Sequence, residues 1–170
     1  MKIVVLGCAG MLGHVAGLFF KEKYGTDVIL SARRKTGISS LDEDLKEISL
    51  TDFGALKSLL QQNRPCVVVN CAAVNDAARN GVELEQINSL LPQKIADLLD
   101  GFKDGSRLIH ISTDGVFRGD RGQYGEDDTP DAQDAYGISK RLGEVSRSPH
   151  LTIRTSLIGP DPISTRGLLN

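Results

Sequence analysis

Lys2-Ile3-Val4-Val5-Leu6-Gly7-Cys8-Ala9-Gly10-Met11-Leu12-Gly13 begins as a short, continuously apolar, β-branched run, stops at a glycine and passes directly into helical spacing. Such a run fits a strand buried on both faces of a parallel sheet. Glycines at the first strand-to-helix turn let a backbone approach a pyrophosphate, whose charge is met by free N–H groups and the positive end of the helix dipole. Gly7, Gly10 and Gly13 suit that geometry, although their spacing is one residue off the G-x-G-x-x-G fingerprint. The plainer reading is that they only permit tight strand–helix packing.

Outward from this stretch, strands and helices alternate. A helix over 11–24 presents Leu12, Val15, Ala16 and Phe19 on one side and ends in Lys21-Glu22-Lys23 before Gly25. A strand over 27–31 follows, then a polar loop over 33–44, a short edge-like strand at 45–48 and a helix over 52–62. Pro65 marks the start of the clearest buried strand, Cys66-Val67-Val68-Val69-Asn70. The stretch 84–99 has helical period, with Pro92 either kinking it or opening its second half. Residues 107–112 read as a strand, 135–146 as a helix and 151–154 as a last strand. This alternation predicts a doubly wound α/β fold with a parallel, Rossmann-like sheet, forming one dinucleotide-binding domain over 1–170. In such sheets ligands bind beyond the carboxyl ends of the strands, where Gly7 to Gly13, Ala72-Ala73, Ser112-Thr113 and Thr155 fall.

Composition narrows the partners. With 170 residues, 40% hydrophobic and 25% charged, the chain can bury one good core. A formal net charge of −2, with basic residues scattered apart from Arg33-Arg34-Lys35, offers no footprint for nucleic acid. No apolar stretch approaches the ~20 residues needed to cross a bilayer, and Leu6-Gly7-Cys8-Ala9 has too short an apolar lead for a lipoprotein signal. Cys8, Cys66 and Cys71 lie in or beside buried strands with no CxxC pair and no metal-ligand spacing. They read as reduced structural thiols, without a metal, in a cytoplasmic protein.

Tyr136 and Lys140 stand one helical turn apart in Tyr136-Gly137-Ile138-Ser139-Lys140, downstream of Ser112-Thr113-Asp114 at the end of a strand. Residues four apart share a helix face, so the ammonium is expected beside the phenol, stabilising its ionised form. A phenol near pKa ~10 is otherwise a sluggish acid at neutral pH. The Thr113 hydroxyl would help Tyr136 hold a substrate carbonyl. An exposed helix carrying a Tyr and a Lys is the bland alternative, and the order of the parts weighs against it: glycine turn, hydroxyl pair, then Tyr/Lys helix. After the second strand stand Ser31-Ala32-Arg33-Arg34, with no carboxylate for ribose hydroxyls and two guanidinium groups suited to a 2′-phosphate. Arg33 and Arg34 therefore predict NADP(H) over NAD(H).

These features resemble the extended short-chain dehydrogenase/reductases, and within them the dTDP-4-dehydrorhamnose reductase family of sugar-nucleotide reductases. The most specific stretches are Ser112-Thr113-Asp114-Gly115-Val116-Phe117, Gly122-Gln123-Tyr124-Gly125-Glu126-Asp127-Asp128 with Pro130, and Tyr136-Gly137-Ile138-Ser139-Lys140-Arg141-Leu142-Gly143-Glu144. The Gly-x-x-Gly-x-x-Gly turn is that family's own variant. The resemblance implies that Thr113, Tyr136 and Lys140 form the catalytic set, with Tyr136 and Lys140 also at the cofactor. It further implies that Gly7, Gly10, Met11, Leu12 and Gly13 line the pyrophosphate, that Ala72, Ala73 and Ser112 contact the cofactor, and that Arg154-Thr155-Ser156 border the nicotinamide. The implied reaction is NADPH-dependent reduction of a keto group on a nucleotide-linked deoxysugar for polysaccharide synthesis, with no nucleic-acid or membrane partner and a homodimer as the candidate assembly.

Three departures bear on the substrate: Gly115 in place of a frequent aromatic residue, the run Asn75-Asp76-Ala77-Ala78-Arg79, and Ser49 in place of an acid. Extended members run on past the position of Gly167-Leu168-Leu169-Asn170, which reads as the beginning of another helix. The 170-residue chain is accordingly expected to lack most of the sugar-nucleotide pocket, and to bind cofactor with little turnover. Rival readings are a non-catalytic cofactor-binding subunit, such as the regulatory subunit of methionine adenosyltransferase, and an epimerase or dehydratase that recycles bound NAD(H).

Overall fold

A computed structural model of the chain describes residues 1–75 and 81–159. Residues 76–79 of the departing run and the expected helix start near 167–170 lie outside them. Six parallel strands form one sheet in the order β3-β2-β1-β4-β5-β6. They are β1 (Ile3–Leu6), β2 (Val28–Ala32), β3 (Leu45–Glu47), β4 (Val67–Asn70), β5 (Arg107–Ser112) and β6 (Leu151–Arg154). The helices are α1 (Met11–Tyr24), α2 (Ser39–Asp42), α3 (Phe53–Asn63), α4 (Gly81–Leu84), α5 (Leu91–Asp100) and α6 (Ala135–Gly143). The predicted doubly wound fold is therefore the observed one. The strand order reverses between β1 and β4, which opens a crevice at their carboxyl ends.

Alternation along the strands feeds two cores. Val4, Leu6, Val68 and Leu108 face α3 and α5, packing with Leu56, Leu60, Leu91, Ile95 and Leu99. Ile3, Val5, Val28, Leu30, Val67 and Val69 face α1 and α2, packing with Leu41, Ala16 and Phe20. Both faces of β1 are thus dry, which is why its sequence reads as an unbroken apolar run.

Local corrections have physical causes. Helix α1 has the predicted bounds but not the predicted face: Val15 and Phe19 are 53% and 54% exposed, whereas Gly13, His14 and Gly17 are buried. A Cβ on Gly13 would stand 2.0 Å from the Gly7 carbonyl oxygen, so the helix docks closely through its glycines, with Ala16 and Phe20 packing beside them. The predicted loop at 33–44 contains α2, because the Asp42 carboxylate accepts from the Thr36 N–H (2.7 Å) and Gly37 N–H (2.9 Å) and Leu41 is fully buried. Pro92 opens α5 behind a π-helical segment, Glu85–Leu90. It lacks the N–H that would bond the Asn88 carbonyl four residues earlier. That carbonyl instead meets Gly143, where a Cβ would lie 1.9 Å away. Helix α6 ends at Gly143 rather than 146, since Glu144 turns extended to hold Ser112 and Arg154. Cys66 is exposed, contrary to its expected burial, while Cys8 is buried and Cys71 half-buried; all three are free.

Candidate active site

The crevice is walled by backbone. Gly7 takes φ +82° and a Cβ there would lie 2.8 Å from the Ala72 nitrogen, so the turn after β1 and the segment after β4 touch directly. The Gly7 and Cys8 N–H groups donate to the Ser31 carbonyl (2.9 and 3.0 Å) and anchor the turn to β2. The N-terminus of α1, capped at Gly10, has no capping side chain and no acid in its first turn. Met11 and Leu12 follow it half-buried, and Ala72 and Ala73 stand opposite at the end of β4. Gly7 and Gly13 let these backbones close on one another, and the free N–H groups at the start of α1 suit the pyrophosphate of a dinucleotide.

On one side of the crevice, Arg33 and Arg34 are exposed just past β2. Arg33 Nη1 donates to Glu83 Oε1 at 3.3 Å, a pairing the sequence reading missed.

At the opposite end, β5 and α6 bring Thr113 and Tyr136 together. Thr113 caps the turn after β5, its Oγ1 accepting from the Gly115 N–H at 3.0 Å. A Cβ on Gly115 would lie 3.3 Å from Thr113 Oγ1 and 3.9 Å from Tyr136 Cε1, so this glycine leaves open the space beside both hydroxyl-bearing side chains. Helix α6 starts at Asp134, whose side chain accepts from the Gly137 N–H at 2.9 Å. Burial pushes the Tyr136 phenol above its ordinary value; a hydrogen bond from Thr113 pulls it down, and Asp114 and Asp134 raise it further.

Lys140 is not where helix spacing alone would put it. Only 1% exposed, it turns inward to β5, where Nζ donates to the Ile111 carbonyl at 2.7 Å and lies 3.5 Å from His110 Nε2. The expected lowering of the phenol by this lysine is therefore replaced by the opposite direction, because the ammonium is drawn to a strand carbonyl and the groups acting on Tyr136 are Thr113, Asp114 and Asp134. Burial lowers Lys140 from 10.5 to about 8, against the raising influence of Glu144 and Cys71. Lys140 thus lies within electrostatic reach of Cys71, the residue after β4.

The sign of this shift predicts an alkaline effect on stability. Above about pH 8 the folded protein has released the Lys140 proton that the unfolded chain keeps until 10.5, so stability climbs. Cys8 and Cys71, raised by burial to about 11 and about 12 from 9.0, oppose the climb once the unfolded thiols begin to ionise. Between pH 8 and 9 Lys140 contributes about +1 kcal/mol and the two thiols together about −0.7 kcal/mol, so wild-type urea midpoints should rise only slightly. In Lys140→Met the midpoint should instead fall over this interval, and parallel wild-type and variant profiles would contradict the buried placement.

Ser112, expected at the cofactor, is buried with its hydroxyl donating to Glu144 Oε1 at 2.8 Å. Glu144 also takes two bonds from Arg154 (2.9 and 2.8 Å), joining α6 to β5 and β6. Beyond β6, Ser156 Oγ donates to Asp114 Oδ2 at 2.5 Å, while Thr155 is half-buried. Sequence reading also passed over Asn88. Its side chain accepts from the Val74 N–H (2.9 Å) and donates to the Val74 carbonyl (2.8 Å) and Ser139 Oγ (2.9 Å), tying the segment after β4 to the Tyr136 helix. An amide within an apolar helical run was the available signal. Among the described residues there is no cluster of three metal-ligating side chains and no helix long and apolar enough to cross a membrane.

A glycine-lined crevice at a strand-order reversal, with a threonine hydroxyl, a phenol and a buried lysine at its far end, defines a dinucleotide-fold domain of the short-chain dehydrogenase/reductase type. The chain belongs to the RmlD substrate binding domain family, whose model matches residues 1–158. It is 33% identical over 150 residues to a probable dTDP-4,6-dihydroxy-2-methyloxan-3-one 4-ketoreductase of Streptomyces antibioticus, covering 85% of this chain and 45% of that protein. It is 30% identical over 146 residues to methionine adenosyltransferase 2 subunit beta of Xenopus laevis, covering 84% and 41%. Among solved structures, a hypothetical dTDP-4-dehydrorhamnose reductase from Sulfolobus tokodaii is similar at TM-score 0.75 and 32% identity, covering 91% of this chain and 55% of that one. The Bordetella bronchiseptica enzyme WbmG, in complex with NAD and UDP, is similar at TM-score 0.77 and 25% identity, covering 91% and 52%. The chain spans about half the length of these relatives.

Proposed function

We propose that the protein carries the cofactor-binding and proton-donating half of an NADP(H)-dependent reductase acting on a keto group of a nucleotide-linked deoxysugar. The observation that carries this reading is the placement of Thr113 beside the Tyr136 phenol, with Lys140 one helical turn on and buried against β5. A reduced nicotinamide supplies hydride when bound. The chain's own contribution is acid chemistry: a phenol held above its ordinary pKa keeps its proton across the neutral range and can release it to an oxygen becoming an alkoxide. Thr113 orients that oxygen by a second hydrogen bond. Gly7, Gly10, Met11, Leu12 and Gly13 cradle the pyrophosphate, and Ala72 and Ala73 form the facing wall.

Preference for the 2′-phosphate rests on Arg33 and Arg34. Arg33 must exchange Glu83 for the phosphate, and this exposed ion pair is weak enough to be exchanged. Arg33→Ala with Arg34→Ala should weaken NADPH binding by about 10- to 100-fold, as expected from losing charge-assisted hydrogen bonds of about 1.5–3 kcal/mol, and leave NADH nearly unchanged. Glu83→Gln should tighten NADPH severalfold. Titration by cofactor fluorescence checks both; equal losses for the two cofactors would remove the arginines as discriminators.

The activity is tested by NADPH oxidation by the full-length protein against a panel of nucleotide-linked ketosugars, since the 170-residue chain alone is expected to bind cofactor with little turnover. Turnover with a 4-keto sugar nucleotide supports the reading, and tight cofactor binding without turnover on any member supports a cofactor-binding subunit. Similarity to methionine adenosyltransferase beta subunits favours that second reading; retention of Thr113, Tyr136 and Lys140 favours the first.

A further inference from the structure

Two residues beyond Val68 and Leu108, the sheet's apolar rows turn polar: Asn70 and His110 are register partners on β4 and β5, and both are fully buried. Their contacts run in one line. The Ala72 N–H donates to Asn70 Oδ1 (3.2 Å), Asn70 Nδ2 meets His110 Nδ1 (3.2 Å), and His110 Nε2 faces Lys140 Nζ (3.5 Å). Burying three polar side chains in a core costs free energy unless each is satisfied, and an apolar pair at 70 and 110 would simply have continued the rows.

The order of donors fixes the proton on the imidazole. Because Asn70 Oδ1 is taken by the Ala72 N–H, the amide offers His110 a donor, so Nδ1 accepts and the proton sits on Nε2. Nε2–H then points at Lys140, an arrangement that satisfies a neutral amine and repels an ammonium. When Lys140 takes a proton from solvent, Nζ has no lone pair left. A satisfied network then requires Nε2 to accept from Nζ, the imidazole proton to move to Nδ1, and Asn70 to turn Oδ1 toward it, leaving the Ala72 N–H without its acceptor. The histidine stays neutral throughout, and the only net gain is one proton at Lys140.

We propose that His110, oriented by Asn70, is a positioning residue that sets the proton occupancy of Lys140 and couples it to the peptide at Ala72. This rests on the reading of Lys140 and Ala72 as parts of the cofactor site. The other groups facing Lys140 are Glu144 just past its own helix, Cys71 after β4 and the Ile111 carbonyl on β5; on β6, Thr152 lies beside His110 in register, its hydroxyl bound to the Val145 backbone. The neutral state of His110 agrees with its value, lowered by burial to about 3.

The test is nitrogen-15 NMR of the 170-residue chain. His110 should carry its proton on Nε2 when Lys140 is neutral and on Nδ1 when Lys140 is charged, the change tracking the Lys140 titration. In His110→Gln, whose amide can turn its oxygen to Nζ, the proton affinity of Lys140 should rise by about tenfold or more. One tautomer throughout the titration, or a Lys140 titration unmoved by His110→Gln in a variant whose circular dichroism matches wild type, would overturn the proposal. Neither readout needs turnover, so failure of the reductase reading shows separately, as absent NADPH oxidation with the relay intact.

Discussion

Replacing Tyr136 by phenylalanine is expected to lower kcat of the intact protein by about 10²- to 10⁴-fold, the range for loss of a positioned general acid, with cofactor affinity changed little. The phenol reaches its place through α6, whose N-terminus is capped by Asp134 and whose flank is tied to the segment after β4 by Asn88 and Ser139. Neither tie uses the hydroxyl, so the phenylalanine ring should occupy the same position without the proton. Steady-state NADPH oxidation gives kcat, and fluorescence titration gives cofactor affinity. A variant with unchanged kcat would exclude Tyr136 as donor. Loss confined to cofactor affinity would make it a binding residue only.

A second large effect lies on the acid side. His110 is fully buried and its imidazole is held neutral, lowered by burial and then by the Lys140 charge from 6.5 to about 3. Between those values the unfolded chain holds a proton that the folded state refuses. Stability is therefore present above pH 6.5 and is lost as pH falls toward 3, by up to about 5 kcal/mol in all and about 2 kcal/mol by pH 5. Against a typical total of about 5–15 kcal/mol, this alone can unfold a marginal domain. Carboxylates such as Asp42 and Asp114, lowered mainly by hydrogen bonds from Thr36 and Ser156, add to the loss only nearer their ordinary value of 3.8. The slope between pH 6.5 and 5 should be markedly reduced in His110→Gln. Urea midpoints across that interval measure it, and an equal slope in the variant would place the acid sensitivity elsewhere.

How much of this was legible in the sequence depended on whether side chains or their absence did the packing. β1 and the Val67-Val68-Val69 run of β4 announced themselves because strands buried on both faces carry Val, Ile and Leu without interruption, and β5 did so through Leu108, Ile109 and Ile111 around His110. The glycine turn was legible for the same reason that its spacing departed from the generic fingerprint: Gly7 and Gly13 are there to let backbones touch. The face of α1 was not, since apolar periodicity weighs Val15 and Phe19 and gives no weight to the glycines that dock. Thr113 and Tyr136 were found from type and spacing, which fix their helix face and strand end. The direction of Lys140 was not, because a four-residue interval gives a shared face but not the rotamer that sends Nζ to the Ile111 carbonyl. His110 and Asn88 were visible as polar residues within apolar runs, and only their partners across the sheet give them roles. Glu83 pairs with Arg33 over a separation of 50 residues, beyond any local pattern.

The claim beneath all of this is that a dinucleotide lies across the carboxyl ends of β1 and β4. The most direct measurement is titration of the isotopically labelled 170-residue chain with NADPH, following backbone amides. Saturable shifts should concentrate at Gly7 to Gly13, at Ala72 and Ala73, at Arg33 and Arg34, and around Lys140. No saturable binding, or shifts confined to the far ends of the strands, would contradict the account.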